Sequence, residues 1–316
     1  MHRIDGPGAT VDNKFTEGDP TGGVQATVVT APWLNDMQEE MVSVLSAAAI
    51  TPVKGTQNQI LQAIRKIGTG LAGAVRNGRM IVTAASATAT YNADEVVVKS
   101  GLGGTAWLLP SFTKSINLAG VGAGGMDIGL APVSGFVAIY AAYNPNAAPS
   151  STNPMLIAKD TSGLLAPEIY GGANMPAGYT ASGLVGIYPT TAARLFKPGS
   201  ITDRLVQFDV VLTLGTTTAS ASFVPFNVTG VVPLNAKTVN GNIGAIPSVT
   251  TQVVMDVAGS AAGTGGEYLG AYTPGGSQAQ ISFVDVPSIT PNQLFYKGGA
   301  TSGTVLLNAD ITGYKF

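Results

Sequence analysis

The feature that most constrains this chain is a change of hydrophobic period near Gly68–Gly73. Up to about residue 68, apolar residues recur three and four apart, the spacing of one helix face. From about Ala72 they recur two apart, the spacing of a strand with one buried face. Charge density changes at the same place. Residues 1–68 hold 12 of the 34 Asp, Glu, Lys and Arg side chains, and the rest of the 316-residue chain holds the other 22. Period and charge together predict two kinds of structure joined end to end.

In the first part, Gly6-Pro7-Gly8 and Gly18-Asp19-Pro20 are turn signals and predict an extended, looped arm to about residue 29. Its large apolar residues are mainly Ile4, Val11, Phe15 and Val24, too few to bury much, so the arm must lie on something else. Trp33, Leu34, Met37, Met41, Val44, Leu45 and Ala48 form one stripe and predict a helix over 31–49, with Thr30 as its cap and Pro32 in its first turn. Ile60, Leu61, Ile64 and Ile67 predict a second helix over 57–67, where Thr56 and Gln59 have capping-box spacing. A hairpin of two short helices has little interior of its own. Each stripe residue therefore reads either as hairpin core or as contact with a neighbour. The contact candidates are Phe15, Trp33, Leu34, Met37, Met41, Ile60, Leu61 and Ile64.

The remainder predicts a mainly β protein. Runs over 136–143, 184–188, 206–214, 220–226, 251–257, 280–286 and 304–311 read as strands separated by Gly, Pro, Asn, Ser and Thr clusters. The expected fold is β-sandwich or jelly-roll-like domains preceded by a short extended segment and an α-helical hairpin. The expected domains are 1–70, 71–200 and 201–316, the second boundary lying in Pro198–Asp203. A low-charge Ala/Ser/Thr/Gly surface suits contact between identical copies.

Composition narrows the chemistry. Cysteine is absent and the one histidine is His2, so no thiolate nucleophile, disulfide framework or His-rich metal site is expected. A net charge of −2 lacks the footprint of a nucleic-acid binder. No run of about 18 apolar residues predicts a membrane span, and the first residues lack the apolar core of a signal peptide. Gly120-Val121-Gly122-Ala123-Gly124-Gly125 matches a dinucleotide fingerprint in letters, but the residues after it cannot hold the helix that the mechanism needs. No catalytic, cofactor or metal residue is expected. Tyrosines are more informative. Tyr170 and Tyr179 lie in a glycine-flanked loop, and Tyr268, Tyr272 and Tyr296 lie in glycine-rich surroundings. Such rings beside amides suit sugar or protein ligands, and equally suit plugging a loop onto a sandwich.

The first 68 residues resemble the N-terminal segment of tailed-bacteriophage tail fibre proteins. The blocks that carry the resemblance are Met1–Thr10, Phe15–Pro20, Ala26–Thr30, Trp33-Leu34-Asn35, Gln38-Glu39-Glu40 and Ile50-Thr51-Pro52. Pro32 departs from the polar or acidic residue common before the tryptophan. Residues 129–190, through Gly135–Pro145 and Ala166–Pro176, are similar to the distal β domain of phage tail proteins. The resemblance implies a non-enzymatic virion protein at the tail tip or baseplate, assembled in the host cytoplasm and trimeric. Its N-terminus would dock on other tail proteins, and its β domains would meet a bacterial surface receptor, polysaccharide or protein. Two alternatives remain open: a connector or bracket without receptor contact, and a surface-polysaccharide hydrolase. No sustained heptad, collagen or β-helix repeat is present to build a shaft, which implies a short fibre.

Overall fold

The structure is a computed structural model and describes residues 2–68 and 70–316. It is mainly β, with antiparallel sheets and a short helical region near the N-terminus. Two compact units are present. One is built from the first 68 residues with Gly103–Ala106, the other from 70–102 with 107–316.

In the first unit the arm folds back on itself. Val28 N–H donates to the Pro7 carbonyl, Thr27 Oγ1 donates to the Gly8 carbonyl at 2.9 Å, and Asp19 and Val24 exchange backbone bonds. Gly8, at φ 79, allows this return, because a Cβ there would run into the Ala26 carbonyl. Helix α1 (Ala31–Ala47) starts at Thr30, in extended backbone, with Pro32 in its first turn. It ends in a Schellman turn: Ile50 N–H donates to the Leu45 carbonyl and Ala49 N–H to that of Ser46, with Ala49 left-handed at φ 50. Helix α2 (Gln59–Ile67) starts later than expected, and the capping box does not form. The Gln59 side chain instead ties the connector, accepting from Val53 N–H and donating to the Thr51 carbonyl.

The second unit carries sixteen strands among the described residues. These are β1 (Val75–Arg76), β2 (Arg79–Val82), β3 (Thr88–Lys99), β4 (Ala106–Asn117), β5 (Phe136–Tyr143), β6 (Met155–Asp160), β7 (Ala181–Pro189), β8 (Gly199–Thr202), β9 (Leu205–Thr216), β10 (Ser220–Asn227), β11 (Thr238–Pro247), β12 (Thr251–Ala258), β13 (Glu267–Thr273), β14 (Ala279–Pro287), β15 (Gln293–Ala300) and β16 (Val305–Lys315). The larger sheet runs β14-β11-β16-β9-β8-β2-β3-β7-β5-β6, with β1 and β4 also on β3. The smaller sheet runs β10-β15-β12-β13. Its inward residues, Val253, Met255 and Val257, join Leu307, Ala309 and Ile311 of β16 in one core.

The expected boundary at 200/201 does not appear. It falls inside β8, which pairs with β2 on one side and β9 on the other. Strands from both halves of the sequence thus share one sheet, and their buried residues form one cluster. Tyr314 shows why. Its ring meets Phe136 at 6.2 Å and Phe208 at 5.9 Å, and its hydroxyl donates to the Ile187 carbonyl at 2.8 Å. The last strand completes the core of strands laid down far earlier in the chain.

Candidate functional site

Two surfaces hold most of the residues that the sequence singles out. The first is the helical hairpin. Its interior is three buried residues, Leu45, Ala48 and Ala63, with Val44 and Ile50 packed beside them. Leu34, Met41, Ile60, Leu61 and Ile64 are exposed, and Ile64 shows 59% of its surface. The predicted stripe therefore splits. Leu45 and Ala48 meet α2 with Val44 packed beside them, Trp33 and Met37 are half-buried, and Leu34 and Met41 face outward. Phe15 lies edge-on against Trp33 at 5.1 Å. Leaving this much aliphatic surface in water forgoes about 25 cal/mol for each Å², and exposed patches of this kind mark interaction surfaces.

The second surface is the outward face of the smaller sheet. Side chains alternate along each strand, so Leu269 points into the core while Tyr268 and Tyr272 point out. Beside Tyr268 lies a groove of about 530 Å³, within the usual range of about 300–1,000 Å³ for small-ligand sites. Gln252 and Asp256 of β12, Lys297 of β15 and Ser220 of β10 supply its polar groups, and glycine and alanine line much of the rest. Lys297 Nζ is held in two ways, 2.9 Å from Asp256 Oδ2 and 4.9 Å from the centre of the Phe223 ring. The Tyr268 phenol lies across Gly270, where a Cβ would strike the ring. An aromatic face, an amide, a hydroxyl and a fixed ion pair around a shallow groove can hold a polyhydroxylated ligand.

The other tyrosines are corrected by burial. Tyr170 is core: its ring stands perpendicular to Tyr140 at 5.5 Å, and its hydroxyl donates to Asp127. Burial, and then the bond to Asp127, hold its phenol far above the ordinary 10.0. Tyr296 is also core, packed on Phe226 and donating to the Thr218 carbonyl at 3.2 Å. Tyr179 is half-buried against the core and donates to the Thr152 carbonyl. These three plug loops and strands, and of the five only Tyr268 and Tyr272 are exposed on the surface.

Gln252, Asp256 and Lys297 were not singled out by the sequence. A signal was present, since Asp256 is the one charged residue in an otherwise apolar run, and Lys297 follows two aromatic residues. The glycine run 120–125 forms a tight loop in which Val121 and Met126 bridge, and no helix follows. Among the described residues no cluster of three or more His, Asp or Glu is placed to hold a metal ion. Among the described residues no helix is long and apolar enough to cross a membrane. Glu168 and Asp285 lie in ion pairs with Arg204 and Lys315.

No family model matches the chain. It is similar to a curated protein of Escherichia coli (strain K12), described as uncharacterized protein StfP. The two are 37% identical over 73 residues, which is 21% of this chain and 35% of that protein. The chain thus spans about a third of that relative's length. Among solved structures, a Bacillus thuringiensis Cry1Da tryptic core variant aligns over 76% of this chain and 51% of its own, at 10% identity and a TM-score of 0.19. A score that low carries no argument about fold or function.

Proposed function

We propose that this chain is a tail fibre or baseplate attachment protein of a bacteriophage. Its N-terminal arm and hairpin dock on other tail proteins, and the β unit meets the host surface through the groove beside Tyr268. One observation carries the reading: a two-helix hairpin with three buried residues and an outward aliphatic face is unfinished without a neighbour. The groove adds a place for a surface glycan, the receptor class that its hydroxyl, amide and aromatic groups fit.

Full-length variants separate the two roles. Leu61→Glu with Ile64→Glu is expected to remove the chain from purified particles while leaving its cell binding unchanged. Tyr268→Ala is expected to do the reverse. Normal incorporation of the double variant overturns the docking role. A chain that assembles into particles but does not bind cells is a connector.

A further inference from the structure

We infer that the cleft between the arm and α1 receives a large apolar side chain of a partner peptide flanked by carboxylates. The inference deepens the docking reading above and rests on it.

Phe15, Trp33 and Met37 wall this cleft, and Ile4 is buried beneath them; its volume is about 480 Å³. Phe15 keeps 49% of its surface exposed although it already packs edge-on against Trp33. A half-exposed aromatic pair beside a methionine is a ready seat for one more apolar side chain. The rim is cationic. Arg3, Lys14 and His2 line it, and no carboxylate does. His2 is engaged by Asp36 and Asp5. Among the described residues neither Arg3 nor Lys14 has a carboxylate partner, and Arg3 reaches only the Asp12 carbonyl, at 3.5 Å. An apolar anchor between acidic residues satisfies both the floor and the rim, whereas a basic segment would meet like charge.

The chain has two tryptophans, Trp33 and Trp107. In full-length protein carrying Trp107→Phe, selectively excited tryptophan fluorescence therefore reports on Trp33 and the cleft alone. The probe is the peptide acetyl-Asp-Glu-Phe-Glu-Asp-amide. A saturable change is expected, absent when the peptide's Phe is replaced by Ala. Arg3→Glu with Lys14→Glu is expected to weaken binding about tenfold or more, and Arg3→Lys with Lys14→Arg to restore most of it. Raising salt from about 0.1 M to about 1 M, which shortens the screening length from about 10 Å to about 3 Å, is expected to weaken it as well. The His2 resonance checks that the charge-reversed arm is still folded.

An equal response to acetyl-Lys-Lys-Phe-Lys-Lys-amide, or no saturation, overturns the proposal. So does sedimentation showing that the same charge reversals dissociate an oligomer of this chain, since the occupant is then a second copy. Particle incorporation of the Leu61→Glu, Ile64→Glu variant reads docking independently. Its loss without peptide binding removes this proposal alone, and peptide binding with normal incorporation removes the docking reading alone.

Discussion

Tyr170 donates its phenol proton to Asp127 Oδ2 across 2.7 Å, with both side chains buried. The other carboxylate oxygen accepts from Ile128 N–H at 2.9 Å. Removing the hydroxyl strands a buried carboxylate oxygen, so Tyr170→Phe is expected to cost about 1–3 kcal/mol in urea unfolding. Tyr188 makes the contrast. Its buried hydroxyl has no hydrogen-bond partner among the described residues, so Tyr188→Phe is expected to change stability by no more than about 0.5 kcal/mol, or to raise it. Equal losses from both substitutions would contradict this hydrogen-bond assignment.

His2 is the one histidine, so its proton NMR titration needs no assignment. The bond to Asp36, and then the charge of Asp5, hold His2 above its ordinary 6.5, and the same bond holds Asp36 below 3.8. A raised histidine value means that the pair is complete below about 6.5 and is lost as pH climbs through the folded value. A lowered carboxylate value means that it is lost again as pH falls below 3.8. The arm is therefore pinned to α1 most firmly between roughly pH 4 and 6.5. The His2 midpoint is expected above 6.5, and Asp36→Asn is expected to lower it. A midpoint unmoved by Asp36→Asn would refute the pairing.

Few buried side chains support α1 and α2, so their amides are expected to exchange with deuterium far faster than those of β5 and β7, whose side chains are almost all buried. Ala49 closes α1 in left-handed backbone, which costs an L residue roughly 1 kcal/mol relative to glycine. Ala49→Gly is expected to slow exchange across both helices. Faster exchange in this variant would contradict the turn geometry.

Gly183 of β7 lies flat against backbone. A Cβ there would come within 2.5 Å of Gly73 N and 2.7 Å of the Val97 carbonyl, and those two atoms are themselves hydrogen-bonded. Main chain cannot swing aside as a side chain can. Gly183→Ala is therefore expected to destabilise by about 1–3 kcal/mol in denaturant unfolding, while Gly270→Ala displaces only the Tyr268 ring and changes stability by no more than about 0.5 kcal/mol.

Strands with clean patterns were legible in the sequence. The run Phe136–Tyr143 is β5 to the residue, and β9, β10, β12, β14 and β16 fall within a few residues of their expected places. β11 was not legible, although it sits between β14 and β16. Gly241, Gly244 and Pro247 depress its strand propensity. Yet Gly241 is required there: a Cβ would strike the Asp310 carbonyl and the Phe283 ring. Packing demanded the residues that hid the strand. The groove was half legible, through Tyr268 and Tyr272, because exposure on a strand follows from register with neighbours far away in sequence. The same reason misplaced Tyr170 and Tyr296, whose glycine-rich flanks look open in one dimension and are closed in three.

β8, four residues long, stitches the two sequence halves into a continuous sheet. Genetic exchange between relatives that cuts near residue 200 would pair mismatched half-cores, with Tyr314 facing a foreign Ile187 and Phe136. Exchange that keeps this core intact is then confined to whole-unit transplants joined beyond the hairpin, or to changes among exposed side chains such as those lining the groove.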